Sequence, residues 1–120
     1  MSMEVVSQHN LPLEGPEGTR HSHAYRVQVE VTGPHLDDRG FLVNLSLMEK
    51  LLDEVLSRFR DRSLNDMSEF SGRVPTLENF CRVIWESMSA LLRTEGLEEM
   101  TVTIWESPVA SASYRQGFRP

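Results

Sequence analysis

The chain contains the alternating run His21-Ser22-His23-Ala24-Tyr25-Arg26-Val27-Gln28-Val29-Glu30-Val31-Thr32, which predicts a long β-strand. In a strand, residues two positions apart point to the same face of the sheet. His21 and His23 therefore share a face with Tyr25 and the three valines, and this apolar face is expected to be buried. Two imidazoles side by side at the end of a buried face can bind one metal ion together.

A third histidine, His9, lies in an earlier apolar segment that spans about residues 4–11. Glycines and prolines at residues 12–20 break regular structure, so the two segments can pair across this connection. Such pairing would bring three histidines together and leave a fourth coordination position open, as in catalytic zinc sites. The alternative is three ordinary histidines at a strand end. His35 lies in a predicted turn and is expected to be exposed.

Composition limits the class of protein. The 120 residues, of which 39% are hydrophobic and 25% charged, are typical of one globular domain over residues 1–120. A net charge of −6 argues against a nucleic-acid binder or a binder of anionic membranes. No run has the length of a membrane span and the amino terminus has no signal-peptide pattern, so we expect a cytoplasmic protein. The single cysteine, Cys81, excludes an intrachain disulfide and is expected to be a small core residue.

Two helices are predicted after the long strand. The first should begin at Ser46-Leu47-Met48-Glu49, which has the Ser-x-x-Glu form of a capping box. The second is predicted over about residues 77–93, with Thr76 as its N-cap. Both carry apolar residues at helical spacing on one side, so each needs a surface to cover.

Further strands are predicted at residues 41–45, as a hairpin partner of the long strand, and at residues 100–106, with a short extension at residues 112–115. The fold class is therefore α+β, a four-stranded antiparallel sheet with both helices on one face. The open edges of such a sheet favour aggregation unless they are covered. A closed ring of copies of the chain would cover them.

Two charged positions outside the histidines are informative. Glu106 shares the parity of Val102 and Ile104, on the buried side of the last strand. A carboxylate there needs hydrogen-bond partners, and one use is to accept two N–H groups from a flat heterocycle. The alternatives are an ion pair with an arginine or a solvated strand end. Asp61-Arg62 follows the first helix, where charged residues are ordinarily solvated.

Six motifs together resemble those of the 6-pyruvoyltetrahydropterin synthase and 6-carboxytetrahydropterin synthase family. They are His9, His21-Ser22-His23-Ala24-Tyr25, Gly40-Phe41-Leu42-Val43-Asn44, Asp61-Arg62, Pro75-Thr76-Leu77-Glu78-Asn79 and Trp105-Glu106-Ser107. Each motif alone is weak, but their order and spacing match the family from about residue 5 to about residue 115.

The resemblance implies the tunnelling fold, in which trimers close a strand barrel and two trimers commonly stack into a hexamer. It also implies zinc on His9, His21 and His23. A pterin would be held by Glu106 with help around Thr76, usually in a pocket between subunits.

Two departures from the family pattern concern the acid–base residues. Family synthases usually carry a catalytic cysteine shortly before the His-x-His motif, and the nearest candidates here are Glu17 and Glu14. A related branch that cleaves the side chain of dihydroneopterin triphosphate uses a glutamate at about this place. The family's Asp-His pair is Asp61-Arg62 here. Because arginine stays protonated, Arg62 cannot shuttle a proton, although it can bind a phosphate.

Three hypotheses for the function follow. The first is a zinc-dependent lyase that acts on a dihydropterin such as 7,8-dihydroneopterin triphosphate, with Glu17 or Glu14 as the base and Asp61 assisting. The second is a non-catalytic, zinc-containing pterin-binding protein of the same fold. The third is an oligomeric scaffold with neither metal nor ligand.

Overall fold

Four strands and two helices form the part of the chain that the computed structural model describes, residues 1–93 and 95–118. The elements are β1 (Ser2–His9), β2 (His21–Thr32), α1 (Leu45–Ser57), α2 (Leu77–Leu92), β3 (Glu99–Ser107) and β4 (Ala110–Gly117). The strands form one sheet in the order β1-β2-β3-β4, and each neighbouring pair is antiparallel. The predicted α+β class with a four-stranded antiparallel sheet is confirmed.

The alternation in β2 separates a covered face of the sheet from an open one. Tyr25, Val27 and Val29 are buried, whereas the residues between them are exposed or half-buried. The register carries the buried face into β1 and β3. Both helices cover it with buried side chains, which are Met48, Leu52, Val55 and Leu56 of α1 and Phe80, Cys81, Val83, Ile84, Trp85, Met88 and Leu92 of α2. The histidines of β1 and β2 therefore point to the helix side of the sheet.

The prediction of a strand at residues 41–45 is wrong, because this segment enters a turn and then α1. The backbone N–H groups of Arg39 and Phe41 both donate to the Asp37 carboxylate, each at 2.9 Å. Gly40, with φ of +88°, completes that turn. A short apolar run before a helix has no periodicity that separates it from a strand. The fourth strand is instead β4, which is longer than the predicted extension at residues 112–115.

The start of α1 also differs from the prediction. Asn44, two residues before the predicted Ser46, is the N-cap, and its side chain accepts the N–H of Leu47 at 3.1 Å. We expect Asn44→Ala to lower the free energy of unfolding by about 1 kcal/mol, because the first turn loses this acceptor. Ser46→Ala lies inside the first turn and should change it by less than about 0.5 kcal/mol. Urea denaturation of both variants measures the difference, and a larger loss for Ser46→Ala would restore the capping box as the true start.

The start of α2 and the place of the cysteine agree with the prediction. Thr76 is the N-cap of α2, and its hydroxyl accepts the N–H of Asn79 at 3.1 Å. Cys81 is fully buried, and its thiol lies 3.2 Å from the carbonyl oxygen of Ala112. Burial raises the pKa of this thiol to about 12, so it stays protonated and acts as a packing residue.

The two edges of the sheet differ. The outer edge of β1 is partly covered by the segment after α1, because the N–H of Asp61 donates to the carbonyl oxygen of Val6 (2.7 Å) and the N–H of Gln8 donates to that of Arg62 (2.9 Å). Beyond β4, no strand within residues 1–93 and 95–118 continues the sheet.

In the same ranges, neither helix has the length and apolar character needed to cross a lipid bilayer.

Candidate metal centre and active site

Three histidines converge where β1 and β2 meet the loop that joins them. The antiparallel register sets His9 directly opposite His21, and His23 is two residues further along the same face. The ring centroids lie 4.5 Å (His9 to His21), 5.2 Å (His9 to His23) and 4.8 Å (His21 to His23) apart. One ligand atom from each ring lies within 4.8 Å of the others. This convergence, inferred from parity and strand pairing, could hold one metal ion.

The hydrogen bonds of two rings set their tautomers. Nδ1 of His9 lies 2.9 Å from the carbonyl oxygen of Pro75, and Nδ1 of His21 lies 2.7 Å from that of Thr19. Because a carbonyl oxygen only accepts, each Nδ1 carries the hydrogen and donates it. The Nε2 atoms are then left with free lone pairs. A hydrogen bond from Nδ1–H to a carbonyl oxygen is the support that metal-bound histidines ordinarily have.

The Nε2 atoms of all three rings are buried and have no hydrogen-bond partner among the described residues. Buried polar atoms are nearly always paired, so three unpaired ones on neighbouring rings need an explanation. A metal ion bound by three neutral imidazoles supplies it, and three nitrogen ligands with an open fourth position suit zinc. The donor set therefore fits the ion that the sequence predicted.

The pKa of His23 favours the neutral, metal-binding form. Burial lowers it, and the nearby His9 and His21 lower it further because a charged His23 would be repelled by their charged forms. Glu106 and Glu17 act in the opposite direction but do not outweigh burial. An imidazole must be unprotonated to bind a metal ion, so this shift prepares the ligand.

Tyr25 links the histidines to the hydrophobic core. Its hydroxyl lies 3.3 Å from Nδ1 of His9, and its ring packs edge-on against Phe80 with centroids 5.1 Å apart. Burial raises the pKa of the hydroxyl, with smaller contributions from Glu106 and Glu17, so the side chain stays a neutral phenol. The sequence placed Tyr25 in phase with the histidines but did not reveal this contact.

Glu17 reaches the histidines from the loop between β1 and β2. It lies in a short 3₁₀ helix, Pro16–Gly18, and its Oε2 is 3.6 Å from Nε2 of His21. Its side chain is 54% exposed, so it can exchange protons with solvent. Glu14 is exposed, and no ion pair or hydrogen bond of its side chain to the cluster occurs within the described residues. Of the two glutamates left open by the sequence, Glu17 is the one beside the histidines.

Glu106 approaches from the other side, at the end of β3. Its Oε2 is 3.8 Å from Nε2 of His23, which confirms the predicted face. The pairing of β3 with β4 shifts between Trp105 and Ser107, so Glu106 sits at a bulge with no partner residue in β4. The ionisable side chain next to its carboxylate is His23, and no arginine forms an ion pair with Glu106 within the described residues. Glu106 also lies at the end of an open groove of about 580 Å³, whose other walls belong mainly to the open face of the sheet and are Glu4, Ala24, Arg26, Trp105, Ser107 and Pro108.

The remaining predicted site residues lie at different distances from this centre. Thr76 caps α2 directly after Pro75, whose carbonyl contacts His9. Asp61 and Arg62 are exposed and make their backbone hydrogen bonds along the outer edge of β1. No hydrogen bond or ion pair joins their side chains to the histidines within the described residues. Asp61 has φ of +58°, an uncommon backbone conformation for a residue other than glycine.

Comparisons with known proteins agree with this geometry. The chain is 33% identical over 121 residues to the 6-carboxy-5,6,7,8-tetrahydropterin synthase of Bacillus subtilis (strain 168), a match that covers 94% of this chain and 81% of that protein. It is 30% identical over 104 residues to the 6-pyruvoyl tetrahydrobiopterin synthase of Homo sapiens, covering 82% of this chain and 70% of that protein.

Solved structures show the same fold at lower identity. The Caenorhabditis elegans 6-pyruvoyl tetrahydropterin synthase superposes with a TM-score of 0.84 at 23% identity, covering 97% of this chain and 92% of that one. A Plasmodium vivax 6-pyruvoyltetrahydropterin synthase in which a catalytic glutamate is replaced by alanine superposes with a TM-score of 0.72 at 14% identity, covering 98% and 96%. The chain therefore has the tunnelling fold that the resemblance implied. Because the family model described as 6-pyruvoyl tetrahydropterin synthase also matches residues 2–117, the chain belongs to that family.

Proposed function

We propose that this protein is a zinc-dependent pterin synthase-like lyase acting on a dihydropterin such as 7,8-dihydroneopterin triphosphate. The observation that carries the proposal is the set of three buried, unpaired Nε2 atoms with a carboxylate on either side. His9, His21 and His23 would hold the zinc ion through these atoms. The chemistry that a bound zinc ion supplies is Lewis acidity toward oxygen atoms of the substrate's side chain.

Glu17 is the proposed general base. A base must lie within reach of the proton it removes and must release that proton afterwards. The carboxylate of Glu17 lies beside His21, where a substrate bound to the proposed metal would be, and is half-exposed to solvent, which supports both parts of this role. The Plasmodium vivax protein, which shares the fold, also has a glutamate described as catalytic.

Glu106 is the proposed anchor for the pterin ring, with Thr76 nearby. A pterin carries an amino group and a ring N–H on one edge, and these two donors match the two oxygens of a carboxylate. Glu106 has no partner residue in β4, and its side chain is partly exposed at the end of β3, so its carboxylate is accessible to a ligand. Since its carboxylate is 3.8 Å from His23, a ring held there would carry its side chain next to the histidines.

The proposed roles of Asp61 and Arg62 depend on assembly of several copies of the chain. We propose a homo-oligomer, a trimer or a hexamer, in which the outer edge of β4 pairs with another copy and closes a strand barrel. A pocket between subunits would let Asp61 of one copy assist catalysis beside the histidines of another. Arg62, with its permanent charge, would bind a phosphate group of the substrate. The same proposal makes residues 1–120 a single domain that works in the cytoplasm.

A second candidate is a non-catalytic, zinc-containing pterin-binding protein. It is favoured by Arg62, which stands where the family has a histidine and cannot carry a proton at neutral pH. Glu17 distinguishes the candidates, because a binding protein has no need for a base beside the metal.

The deciding experiment mixes zinc-loaded protein with 7,8-dihydroneopterin triphosphate and follows the pterins by chromatography with mass detection. A new pterin is expected, and its mass separates side-chain cleavage from triphosphate elimination. The matched control is Glu106→Gln, which should weaken pterin binding while zinc content stays the same. Binding without conversion would favour the second candidate, and absence of both zinc and pterin binding would overturn the proposal.

A further inference from the structure

We infer that Asn79 is a positioning residue for the metal centre, because it fixes the backbone carbonyl group that orients His9. The inference rests on the proposed metal centre and extends it to a residue whose hydrogen bonds among the described residues go to residues 74–76 and not to the histidines. Asn79 lies in the first turn of α2, far from His9 in sequence and two hydrogen bonds away in space.

Asn79 holds residues 74–76 with two hydrogen bonds. Its side-chain Nδ2 donates to the carbonyl oxygen of Val74 at 2.8 Å, and its backbone N–H donates to Oγ1 of Thr76 at 3.1 Å. The N–H of Thr76 closes a tight turn onto the same Val74 carbonyl at 2.8 Å. Pro75, which is buried and has no N–H of its own, lies between these fixed points. Its carbonyl is therefore held in one direction, toward Nδ1 of His9.

That carbonyl determines which nitrogen of His9 can bind metal. While Nδ1–H donates to Pro75, Nε2 is the nitrogen that keeps a free lone pair, and it is buried without a hydrogen-bond partner among the described residues. If the carbonyl moved, His9 would lose both its orientation and its fixed tautomer, and such losses lower metal affinity. Because a backbone carbonyl cannot be removed by substitution, the side chain that holds it is where the effect can be tested.

His21 provides an internal comparison. Its Nδ1 donates to the carbonyl oxygen of Thr19, in the loop between β1 and β2, and Asn79 makes no hydrogen bond to that loop. A change at Asn79 should therefore disturb His9 and leave His21 as it was.

Asn79→Asp separates positioning from a simple role in starting α2. Aspartate has the same shape, keeps the backbone N–H that bonds to Thr76, and is favoured in the first turn of a helix by the helix dipole. It lacks the Nδ2–H donor, and its charge repels the Val74 carbonyl. The helix should be retained while the hold on residues 74–76 is lost. The matched control is Asn44→Asp, which makes the same change of charge at the start of α1; within the described residues the Asn44 side chain bonds only to Leu47 and not to the histidines or residues 74–76.

The first measurement is zinc affinity, by competition with a chromophoric chelator, for the unaltered protein and the two variants. We expect Asn79→Asp to bind zinc roughly 10-fold more weakly, at the lower end of the range for residues that support metal ligands. Asn44→Asp should match the unaltered protein in zinc affinity. Without zinc, Asn79→Asp should lose no more stability than one hydrogen bond supplies, and circular dichroism should show the same helix content for all three proteins. Zinc affinity of Asn79→Asp within about twofold of the unaltered protein would overturn the inference. If the unaltered protein itself bound no zinc, the metal centre would be wrong and this inference with it.

The second measurement observes the histidines directly in the zinc-loaded protein, by proton–nitrogen correlation spectra of the imidazole rings. The Nδ1–H signal of His9 should shift or broaden in Asn79→Asp, and that of His21 should stay in place. A role confined to helix stability would move neither signal. Unchanged His9 signals, or equal changes in both rings, would also overturn the inference.

Discussion

Replacement of His21 by alanine is expected to abolish stoichiometric zinc binding and leave the protein folded. In the proposed metal centre three histidines supply the nitrogen donors, and two alone are below the number that catalytic zinc sites ordinarily keep. The loss of affinity should exceed the roughly 10- to 100-fold that follows removal of a residue in the outer shell. Catalysis should disappear together with the metal. His21 is only half-buried and starts its strand, so its removal creates no large cavity in the core.

Metal analysis after gel filtration, together with circular dichroism, tests this expectation. His35→Ala is the matched control, since that histidine is exposed, lies outside the cluster and should keep one zinc ion per chain. His21→Ala protein that retained one zinc ion per chain at the original affinity would contradict the assignment of the three ligands.

Glu17→Gln is expected to lower kcat by about 10²- to 10⁴-fold, the usual contribution of a general base. Glutamine has nearly the same shape but cannot take up the proton. Zinc content and pterin binding should be unchanged, because the proposed site holds the metal through the histidines and the ring through Glu106. The loss should therefore appear in kcat and only weakly in KM.

Glu14→Gln is the control for this experiment. Both glutamates belong to the same loop, and only Glu17 lies beside His21. Steady-state kinetics of the two variants, measured on zinc-loaded protein, should show the large loss in Glu17→Gln alone. The reverse result would make Glu14 the base, and equal small effects in both variants would favour the pterin-binding protein.

Prediction from the sequence succeeded where a structural feature depends on the spacing of residues close together in the chain. The parity of β2 placed His21, His23 and Tyr25 on one face, because alternation of faces is a property of any strand. Parity alone likewise placed Glu106 on the covered side of β3. Thr76 was predicted as an N-cap because its side chain bonds only three residues ahead.

Prediction failed where a short segment had two local solutions. Residues 41–45 are apolar enough for a strand. The backbone just before them forms a turn instead, because the N–H groups of Arg39 and Phe41 donate to the Asp37 carboxylate. Asn44 then begins the helix two residues before Ser46, although both residues are good caps. Residues 41–45 are therefore not part of the sheet, and β4 is its fourth strand.

The sequence by itself determined that His21 and His23 share one face, that two helices follow, and which face of the sheet is covered, because each follows from spacing within one segment. The tertiary structure alone decided how the three histidines are oriented and which acids lie beside them. His9 is oriented by Pro75, 66 residues away, and the 3₁₀ turn of its loop brings Glu17 and not Glu14 to His21. The same packing placed Asp61 and Arg62 on the outer edge of β1. Contacts between distant segments depend on how the whole chain packs, and no local pattern of residue types encodes them.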